Sequence, residues 1–373
     1  MNARTRVLLV GPLPRPGLPV GGTQVSFAAL RASFGTSRRF RVQAVGTTRS
    51  GAGPRALAEA VALARVLLAV ATTRAEIVFF HASPRGMLSA AHWVALLCRL
   101  RKRRLVLRAF GGALDLFHER AGAGAKRRLG WALRSADLVL LQTRSLCQRF
   151  AALVPGARIR QLPTTRDVPS GETRRRCRRF LFLAQLRPEK GLSLAIEAVE
   201  SPELRDHVSL AVHGPEMAGA DLAPLAGSRR ARYGGPIEPE AVPAVLARHD
   251  ALVFPSTWPG EGLPGAVVEA LQAGMPVIAA RWRAIEELVE DGRSGLVVEP
   301  RSSADLARAM VRLVEDDALV ARLSAGALER GAHYRSGPWH ERLEGWLSEV
   351  LRGGGGPRSS LATLKPEPRR RAG

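Results

Sequence analysis

Cysteine is scarce in this sequence. Its three residues, Cys98, Cys147 and Cys177, are odd in number and widely spaced, which argues against a disulfide framework. No Cys-x-x-Cys pair and no His-Glu-x-x-His segment occurs, so the common metal motifs are missing and no metal is expected. No apolar run reaches the roughly 18 residues of a spanning helix, and the N-terminal segment does not resemble a signal peptide. These absences predict a reduced, cytoplasmic protein.

Lysine and aromatic residues are also few, although the chain is strongly basic. Only four of its 56 basic residues are lysines, and the formal net charge is +23. Such a field attracts nucleic acid, anionic membrane surfaces or phosphorylated substrates without choosing among them. Aromatic residues make up only 5% of the chain, which provides few platforms for base stacking. A basic nucleic-acid-binding protein is therefore an unfavoured alternative.

Short apolar strands alternate with helical segments along most of the chain. The segments RVLLVGP, EIVFFHA and DLVLLQT are typical of buried parallel strands, and the alternation restarts at FLFLAQL. This order predicts right-handed βαβ units. A chain of 373 residues has room for two such domains. We predict an α/β protein with two facing Rossmann-like domains, parallel sheets and an interdomain cleft at the carboxyl ends of the strands.

Changes in composition divide the chain into five parts. Residues 1–165 form the first domain, and the Pro- and Arg-rich residues 166–179 read as a solvated basic linker. Residues 180–335 form the second domain. The apolar spacing in 336–352 predicts a helix that packs back across the domains, and the Gly-, Pro- and Arg-rich residues 353–373 predict a disordered basic tail.

Two glutamates frame the most informative segment. Glu261 and Glu269 are eight positions apart, with Gly262, Pro264 and Gly265 between them, at the start of a predicted helix. The free backbone amides of a helix N-terminus hold anions, and carboxylates accept hydrogen bonds from vicinal hydroxyls. The combination suits a nucleotide sugar, which carries a diphosphate, a ribose and a hexose. The alternative is a Pro-Gly loop with two solvated glutamates.

The same segment resembles a known family. The Glu-x7-Glu element, the following Ala-Leu-Gln-Ala-Gly-Met-Pro-Val-Ile and the segment Leu183-Ala-Gln-Leu-Arg-Pro-Glu-Lys-Gly are similar to motifs of the family 4 retaining glycosyltransferases. The resemblance implies the GT-B fold and a metal-independent transfer from a nucleotide-sugar donor, with no further cofactor. It also implies that Lys190 neutralises the leaving phosphate, that Glu261 contacts the transferred sugar and that Glu269 binds the ribose.

The resemblance extends to a wider set of site residues. Gly21 and Gly22 would let the backbone approach the diphosphate or the acceptor from the first domain. The catalytic candidates are Lys190, Glu261 and Arg108. The expected donor-binding residues are Gly21, Gly22, Gln185, Arg187, Lys190, Gly214, Glu261, Gly262, Leu263, Pro264, Gly265, Ala266 and Glu269.

Two positions depart from the family pattern. Gln185 stands where the family has Arg, and Phe110 stands where it often has His. Arg187 could supply the positive charge that is missing at Gln185, and Arg108 could contact a phosphate or the acceptor. His81, Arg108 and Gly111 are the acceptor-side candidates, although both His81 and Arg108 could equally be structural. These departures leave open a catalytically degenerate subunit that acts as a binding partner.

An apolar helix face in the first domain bears on the acceptor. Trp93, Leu96, Leu97 and Leu100 share helical spacing and run into a basic cluster. Core packing is one interpretation, and contact with an anionic membrane surface, making the protein peripheral on the inner face of the cell membrane, is the other. The resemblance implies transfer to a glycan, lipid-linked or small-molecule acceptor, in cell-surface polysaccharide or glycolipid synthesis, and the sequence does not choose among these acceptors.

Overall fold

The structure, a computed structural model, describes residues 4–13, 22–47, 55–204 and 207–353. The predicted donor-side Gly21 and the tail from residue 354 onward lie outside the described residues. The described chain contains two six-stranded sheets. Every strand pair in both sheets is parallel, as the alternation of strands and helices predicts.

The first sheet is built from the N-terminal part of the chain. Its strand order is β2-β1-β3-β4-β5-β6. Because β1 and β3 are neighbours while β2 lies on the other side of β1, the chain reverses direction across the sheet between β1 and β3. The strands are β1 (Thr5–Gly11), β2 (Phe40–Gly46), β3 (Ile77–Ala82), β4 (Arg104–Ala109), β5 (Leu138–Leu141) and β6 (Ile159–Gln161).

Six helices accompany this sheet. The third and sixth helices begin with side-chain caps from Ser83 and Thr143, which accept hydrogen bonds from amides of the first turn. The helices are α1 (Gly22–Gly35), α2 (Arg55–Thr72), α3 (Pro84–Leu100), α4 (Leu114–Arg120), α5 (Ala123–Ser135) and α6 (Arg144–Leu153).

The second sheet also has six parallel strands and one change of direction in its strand order. Its order is β12-β11-β10-β7-β8-β9, so the direction changes between β7 and β10. The strands are β7 (Arg179–Leu183), β8 (Ser209–His213), β9 (Ala231–Tyr233), β10 (Ala251–Phe254), β11 (Val277–Ala280) and β12 (Gly295–Val298). The helices are α7 (Leu192–Val199), α8 (Ala223–Ala226), α9 (Val242–Ala247), α10 (Gly265–Gln272), α11 (Ser303–Glu315) and α12 (Asp317–Ala332).

The two reversals decide where a ligand can bind. At such a switch point the neighbouring connections leave on opposite faces of the sheet, so a crevice opens at the carboxyl ends of the strands. Lys190 follows β7 and Glu261 follows β10, the two strands at the switch point of the second sheet. In the first sheet α1 follows β1, and His81 lies near the end of β3.

The last described helix returns to the first domain. Helix α13 (Ser336–Leu351) buries Trp339, Leu343 and Leu347 in the same apolar cluster as Val7 and Leu9 of β1. An ion pair between Arg160 of β6 and Glu349, 2.8 Å long, fastens its far end. The apolar stripe read from the sequence is thus buried against the N-terminal sheet.

Residues 166–179, predicted to form a solvated linker, are exposed at most positions, but part of the segment is buried. Val168 and Cys177 are buried, with 7% and 1% of their surface exposed. Arg174 donates hydrogen bonds to the carbonyl oxygens of Ala273, at 2.6 Å, and Leu246, at 3.1 Å. These carbonyls follow α10 and end α9, and helix ends leave such groups without partners. Arg174 therefore caps two helices, while Arg175, Arg176 and Arg178 are exposed.

Candidate functional site

Lys190 and Glu261 meet at the β7/β10 switch point. Nζ of Lys190 lies 2.5 Å from Oε2 of Glu261, and Ser256 donates from Oγ to the same oxygen at 2.6 Å. The side chains of the ion pair are only 12% and 10% exposed. Nζ also lies 5.3 Å from the ring centroid of Phe254, within cation–π range. The result is a fixed, largely desolvated cation beside a carboxylate.

A glycine makes the position of Lys190 attainable. Residues Pro188–Lys190 form a single 3-10 turn, and Gly191 ends it with φ of 77°. A β-carbon at Gly191 would lie 2.8 Å from the carbonyl oxygen of Pro255. Only glycine allows both this backbone conformation and this approach of the turn to the end of β10.

Helix α10 supplies the amides that the sequence predicted for the donor. Pro264 occupies its N-cap position and offers no side-chain cap, and Gly265 is the first helical residue. Leu263 is 2% exposed, and its backbone turns inward toward the first domain. The first amides of α10, at Gly265 and Ala266, lie between Glu261 in the preceding loop and Glu269 in the second turn. An anion at this end would meet hydrogen-bond donors.

Glu269 is held by a residue that the sequence analysis assigned to the linker. Its Oε1 atom accepts a hydrogen bond from Nε of Arg166 at 2.8 Å, and the two side chains are 17% and 13% exposed. Burial raises the pKa of Glu269 above its ordinary value, while the charge and hydrogen bond of Arg166 oppose the rise. Arg166 therefore favours the ionised, hydrogen-bond-accepting form of this carboxylate.

The loop before α10 is pressed against the first domain. The amide of Gly112 donates to the carbonyl oxygen of Gly260 at 3.1 Å. Gln142, after β5, accepts at Oε1 from the amide of Gly111 at 3.1 Å and donates to the carbonyl of Leu263 at 3.4 Å. A β-carbon at Gly262 would lie 2.1 Å from Oε1 of Gln142. The two domains thus meet through backbone, and glycine is required on both sides.

Charged contacts reinforce this closed arrangement. Arg283 pairs with Asp115 at 2.7 Å. Glu287 accepts hydrogen bonds from the amides of Arg144, at 2.7 Å, and Ser145, at 3.0 Å, at the start of α6. A carboxylate at a helix N-terminus is stabilised by the free amides and by the helix dipole. Between the domains, a cavity of about 500 Å³ is lined by Glu261, Gly112, Asp115, Arg149 and Arg283, among others.

Three predicted donor residues beside β7 and β8 have different surroundings. Arg187 stacks over the indole of Trp258, with its guanidinium carbon 4.5 Å from the ring centroid. Gln185 is half-buried next to it. Gly214 has φ of 141°, and a β-carbon there would lie 1.7 Å from the carbonyl oxygen of Ala184. Gly214 is therefore needed for close packing of the two strand ends, whatever its part in binding.

The acceptor-side candidates are more deeply buried than a ligand contact requires. Arg108 is 4% exposed and donates to Oγ of Ser26 at 3.3 Å, and burial together with the nearby charge of Arg166 lowers its pKa to about 9. His81 is fully buried between the rings of Phe27 and Phe110. Neither ring nitrogen of His81 has a hydrogen-bond partner within the described part of the chain.

A cavity of about 1030 Å³ nevertheless opens at this end of the first sheet. It lies at the switch point between β1 and β3, and its lining is mostly apolar with several polar groups. Gly22 begins α1 at the same edge. The lining includes Thr23, Gln24, His81, Ser83, Arg85 and Phe117.

Three site residues were missed by the sequence analysis. Arg166 was assigned to the linker, and Ser256 and Gln142 were read as strand ends. Only their places after strands could have indicated them, because the carboxyl ends of parallel strands converge on the cleft. Among the residues that the structure covers, no cluster of three His, Cys, Asp or Glu side chains could hold a metal ion.

Part of the second domain is similar to a known protein family. Residues 177–316 match the family model described as "Glycosyl transferases group 1". The match covers 140 of the 373 residues and lies in the second domain. It contains β7, Lys190, Glu261 and Glu269, whereas Arg166 and the contacts from the first domain lie outside it.

Curated relatives extend the similarity in part. The chain is 34% identical over 171 residues to a D-inositol 3-phosphate glycosyltransferase from Nocardioides sp., covering 40% of this chain and 37% of that protein. It is 29% identical over 278 residues to a GDP-mannose-dependent alpha-(1-6)-phosphatidylinositol monomannoside mannosyltransferase from Mycolicibacterium smegmatis, covering 67% and 70%. The first alignment thus spans little more than a third of its relative.

Solved structures cover nearly the whole chain. Sucrose-phosphate synthase from Thermosynechococcus elongatus superposes with a TM-score of 0.74 at 15% identity, over 94% of this chain and all of that one. HepE from Anabaena in complex with UDP gives 0.72 at 18% identity, over 92% and 100%. At these identities the likeness concerns the fold. The predicted GT-B arrangement of two Rossmann-like domains is confirmed.

Proposed function

We propose that the protein is a glycosyltransferase that moves a sugar from a nucleotide-sugar donor to an acceptor hydroxyl. The observation that carries the proposal is the Lys190–Glu261 ion pair at the β7/β10 switch point, beside the N-terminus of α10. A diphosphate needs a cation and free amides, and a sugar needs a hydrogen-bonding carboxylate. The fold brings all of these groups together at the β7/β10 switch point.

The roles follow from position. Lys190 lies where it can neutralise the charge that develops on the departing phosphate, which stabilises the transition state more than the bound substrate. Glu261 borders the 500 Å³ cavity and accepts from sugar hydroxyls. Glu269, in the second turn of α10, accepts from the ribose. Lys190 and the α10 amides carry out the charge neutralisation, so the proposal needs no metal or added cofactor.

The reaction is proposed to retain the configuration of the sugar. The bond between the anomeric carbon and the phosphate oxygen breaks, and the acceptor oxygen bonds to the same face of that carbon. The acceptor proton passes to the departing phosphate oxygen. The cavity of about 1030 Å³ at the β1/β3 switch point is the proposed acceptor side, next to His81 and Gly22.

The acceptor is proposed to be a lipid-linked or membrane-presented glycan. The relative from Mycolicibacterium smegmatis is named for a phosphatidylinositol monomannoside. None of the helices in the described ranges has the length and apolar character needed to cross a bilayer. Access to such an acceptor would therefore require a surface that contacts the membrane from one side.

The outer surface of α2 and α3 has the required character. Trp93, Leu96 and Leu100 of α3 are 47%, 39% and 69% exposed, so the core-packing interpretation does not hold for them. Of the four apolar residues on this face, the partly buried Leu97 packs against the core. On the neighbouring α2, three further apolar side chains are exposed. Basic residues follow α3 directly. An apolar face with a basic border suits an anionic bilayer. The exposed side chains of α2 are Leu57, Val61 and Leu68.

Vesicle sedimentation tests this contact separately from catalysis. The wild-type protein should sediment with vesicles containing phosphatidylglycerol and not with pure phosphatidylcholine. The double variant Trp93→Ser/Leu100→Ser should stay in the supernatant, while Leu153→Ser, at an equally exposed leucine of α6, should still sediment. Equal behaviour of the two variants would refute a membrane contact through this face.

Release of nucleoside diphosphate tests the transferase activity itself. The protein is incubated with UDP-, GDP- and ADP-sugars in the presence and absence of a membrane extract as acceptor source. One donor should be consumed, with acceptor-dependent release at least about tenfold above the Glu261→Gln variant. NMR of the product would give the anomeric configuration. Absence of release with all donors and acceptors, from a folded sample that binds nucleotide, would instead favour a degenerate subunit.

A further inference from the structure

Arg166 lies inside the proposed donor site although it belongs to the segment between the domains. Its Nε atom donates to Glu269 at 2.8 Å, and its Nη1 atom donates to the carbonyl oxygen of Thr165 at 2.9 Å. Within the described residues no hydrogen bond involves Nη2. The guanidinium is thus fixed in orientation by two contacts, and one nitrogen is left for another partner.

The position of Nη2 shows where that partner would be. A β-carbon built on Gly265 would lie 2.4 Å from Nη2. The guanidinium therefore lies directly against the first residue of α10, whose amide has no partner within the helix. Any side chain at residue 265 would displace the arginine. An anion at this helix end would meet Nη2 and the α10 amides together.

Neighbouring charges show that this end of the cleft is electropositive. Arg108 of β4 is close enough to Arg166 for the two charges to repel, which contributes to the lowered pKa of Arg108. Glu269 pairs with Arg166, and Lys190 pairs with Glu261. Among the residues that the structure describes, the atoms nearest to a β-carbon at Gly265 belong to Arg166, so this guanidinium is the cation that lies against the first turn of α10.

We propose that Arg166 is a donor-binding residue whose Nη2 group contacts the diphosphate while its Nε group holds Glu269 for the ribose. This inference rests on the proposed function, because it names a further group at the same donor site. A planar guanidinium can serve both purposes at once, since its donors point along separate directions in one plane. Lysine at this position would supply charge but could not make both contacts.

Binding of a nucleoside and of its diphosphate distinguishes this role from a structural one. The probe is whichever of UDP, GDP and ADP stabilises the wild-type protein most, compared with the matching nucleoside in competition titrations. In Arg166→Gln, the diphosphate affinity should fall about tenfold or more, because a charge-assisted hydrogen bond to phosphate is lost. The nucleoside affinity should fall less than about threefold. Arg166→Lys should recover part of the diphosphate affinity.

The control variant is Arg160→Gln. Arg160 lies in β6, six positions before Arg166, and also forms a 2.8 Å ion pair with a glutamate, but it lies against α13. It should bind both probes like the wild type, which controls for loss of an ion pair. Equal losses of nucleoside and diphosphate affinity in Arg166→Gln would overturn the inference, as would no loss at all. If the wild type bound no nucleoside diphosphate, the proposed function itself would fail.

Discussion

Nζ of Lys190 lies 2.5 Å from Oε2 of Glu261, and the same carboxylate oxygen accepts a hydrogen bond from the hydroxyl of Ser256. The two charged residues come from connections that follow different strands, 71 positions apart in sequence. Their meeting depends on the strand order, which makes β7 and β10 neighbours. The pair holds Lys190 ready for an anion, and a diphosphate would compete with Glu261 for its ammonium group.

Lys190→Ala should therefore impair turnover more than donor binding. We expect kcat to fall about 10²- to 10³-fold, because the lost charge acts mainly on the departing phosphate. The Michaelis constant for the donor should change less than about tenfold. Steady-state kinetics of nucleoside diphosphate release provide the measurement, with Lys126→Ala on α5 as the control. A variant with unchanged kcat and weaker donor binding would show that Lys190 contributes to donor binding alone.

Glu269→Gln should weaken binding of the donor and leave binding of the acceptor unchanged. The amide keeps the size of the side chain but accepts hydrogen bonds to ribose hydroxyls less strongly, and it loses the charge that pairs with Arg166. We expect a donor affinity about ten times lower, measured by calorimetry. A 2′-deoxynucleotide should bind the variant and the wild type with similar affinity if the 2′-hydroxyl is the lost partner. A variant with wild-type donor affinity would exclude the ribose role.

Gly112→Ala should disturb the contact between the domains. The added β-carbon would lie 1.8 Å from the carbonyl oxygen of Glu261, and backbone on both sides leaves little room to relax. Overpacking of this kind costs about 1 to 3 kcal/mol. We expect a lower melting temperature and at least about tenfold lower transferase activity. Gly122→Ala, where nothing lies within 4 Å of the added carbon, is the matched control and should behave like the wild type. Similar losses in both variants would argue against the interdomain explanation.

His81 should make stability fall at acidic pH. Burial lowers its pKa well below the ordinary value, with a contribution from the charge of Arg108. As the pH falls below about 6.5, His81 becomes protonated in the unfolded chain but stays neutral in the folded chain. The free energy of unfolding then decreases by up to about 1.4 kcal/mol per pH unit from this group, down to the folded-state pKa. Above that range the residue adds no pH dependence.

His81→Leu tests this assignment by urea unfolding at several pH values. Because neither ring nitrogen has a partner among the described residues, the variant should be at least as stable as the wild type near pH 7.5. Its advantage should grow as the pH is lowered below about 6.5. Parallel stability curves for the two proteins would contradict a buried, neutral His81. The other histidines are present in both proteins and cancel in the comparison.

The sequence was sufficient for the strands and for the two residues that follow the central switch point. Buried parallel strands are apolar runs, so the sequence predicted β1, β3, β7 and β10. Residues that follow such strands lie at their carboxyl ends and therefore line the cleft. The edge strands β2 and β12 were predicted, but the edge strands β6 and β9 were not recognised. β6 and β9 contain three residues each, too few to show a pattern. Helix α12 was missed because its sequence mixes small and charged residues without a clear stripe.

Arg166 and α3 show why the remaining errors were made. Arg166 lies in a Pro- and Arg-rich stretch, and local composition cannot show that a guanidinium reaches Glu269, 103 positions later. For α3, helical spacing placed Trp93 and Leu100 on one face but could not show which face meets the sheet. Burial of Met87, Ala91 and Val94 assigns the smaller residues to the core. Tertiary contacts decide both cases.

Thermal unfolding in the presence of nucleotides tests the central claim most directly. The wild-type protein is heated with UDP, GDP, ADP and CMP in turn, alongside Glu269→Gln and Gly122→Ala. A ligand at 100 times its dissociation constant adds about 2.7 kcal/mol to the folded state, which raises the melting temperature by several degrees. The account predicts a selective rise with one nucleoside diphosphate, retained in Gly122→Ala and reduced in Glu269→Gln. No rise with any nucleotide in a folded sample would contradict a donor site at Lys190, Glu261 and Glu269.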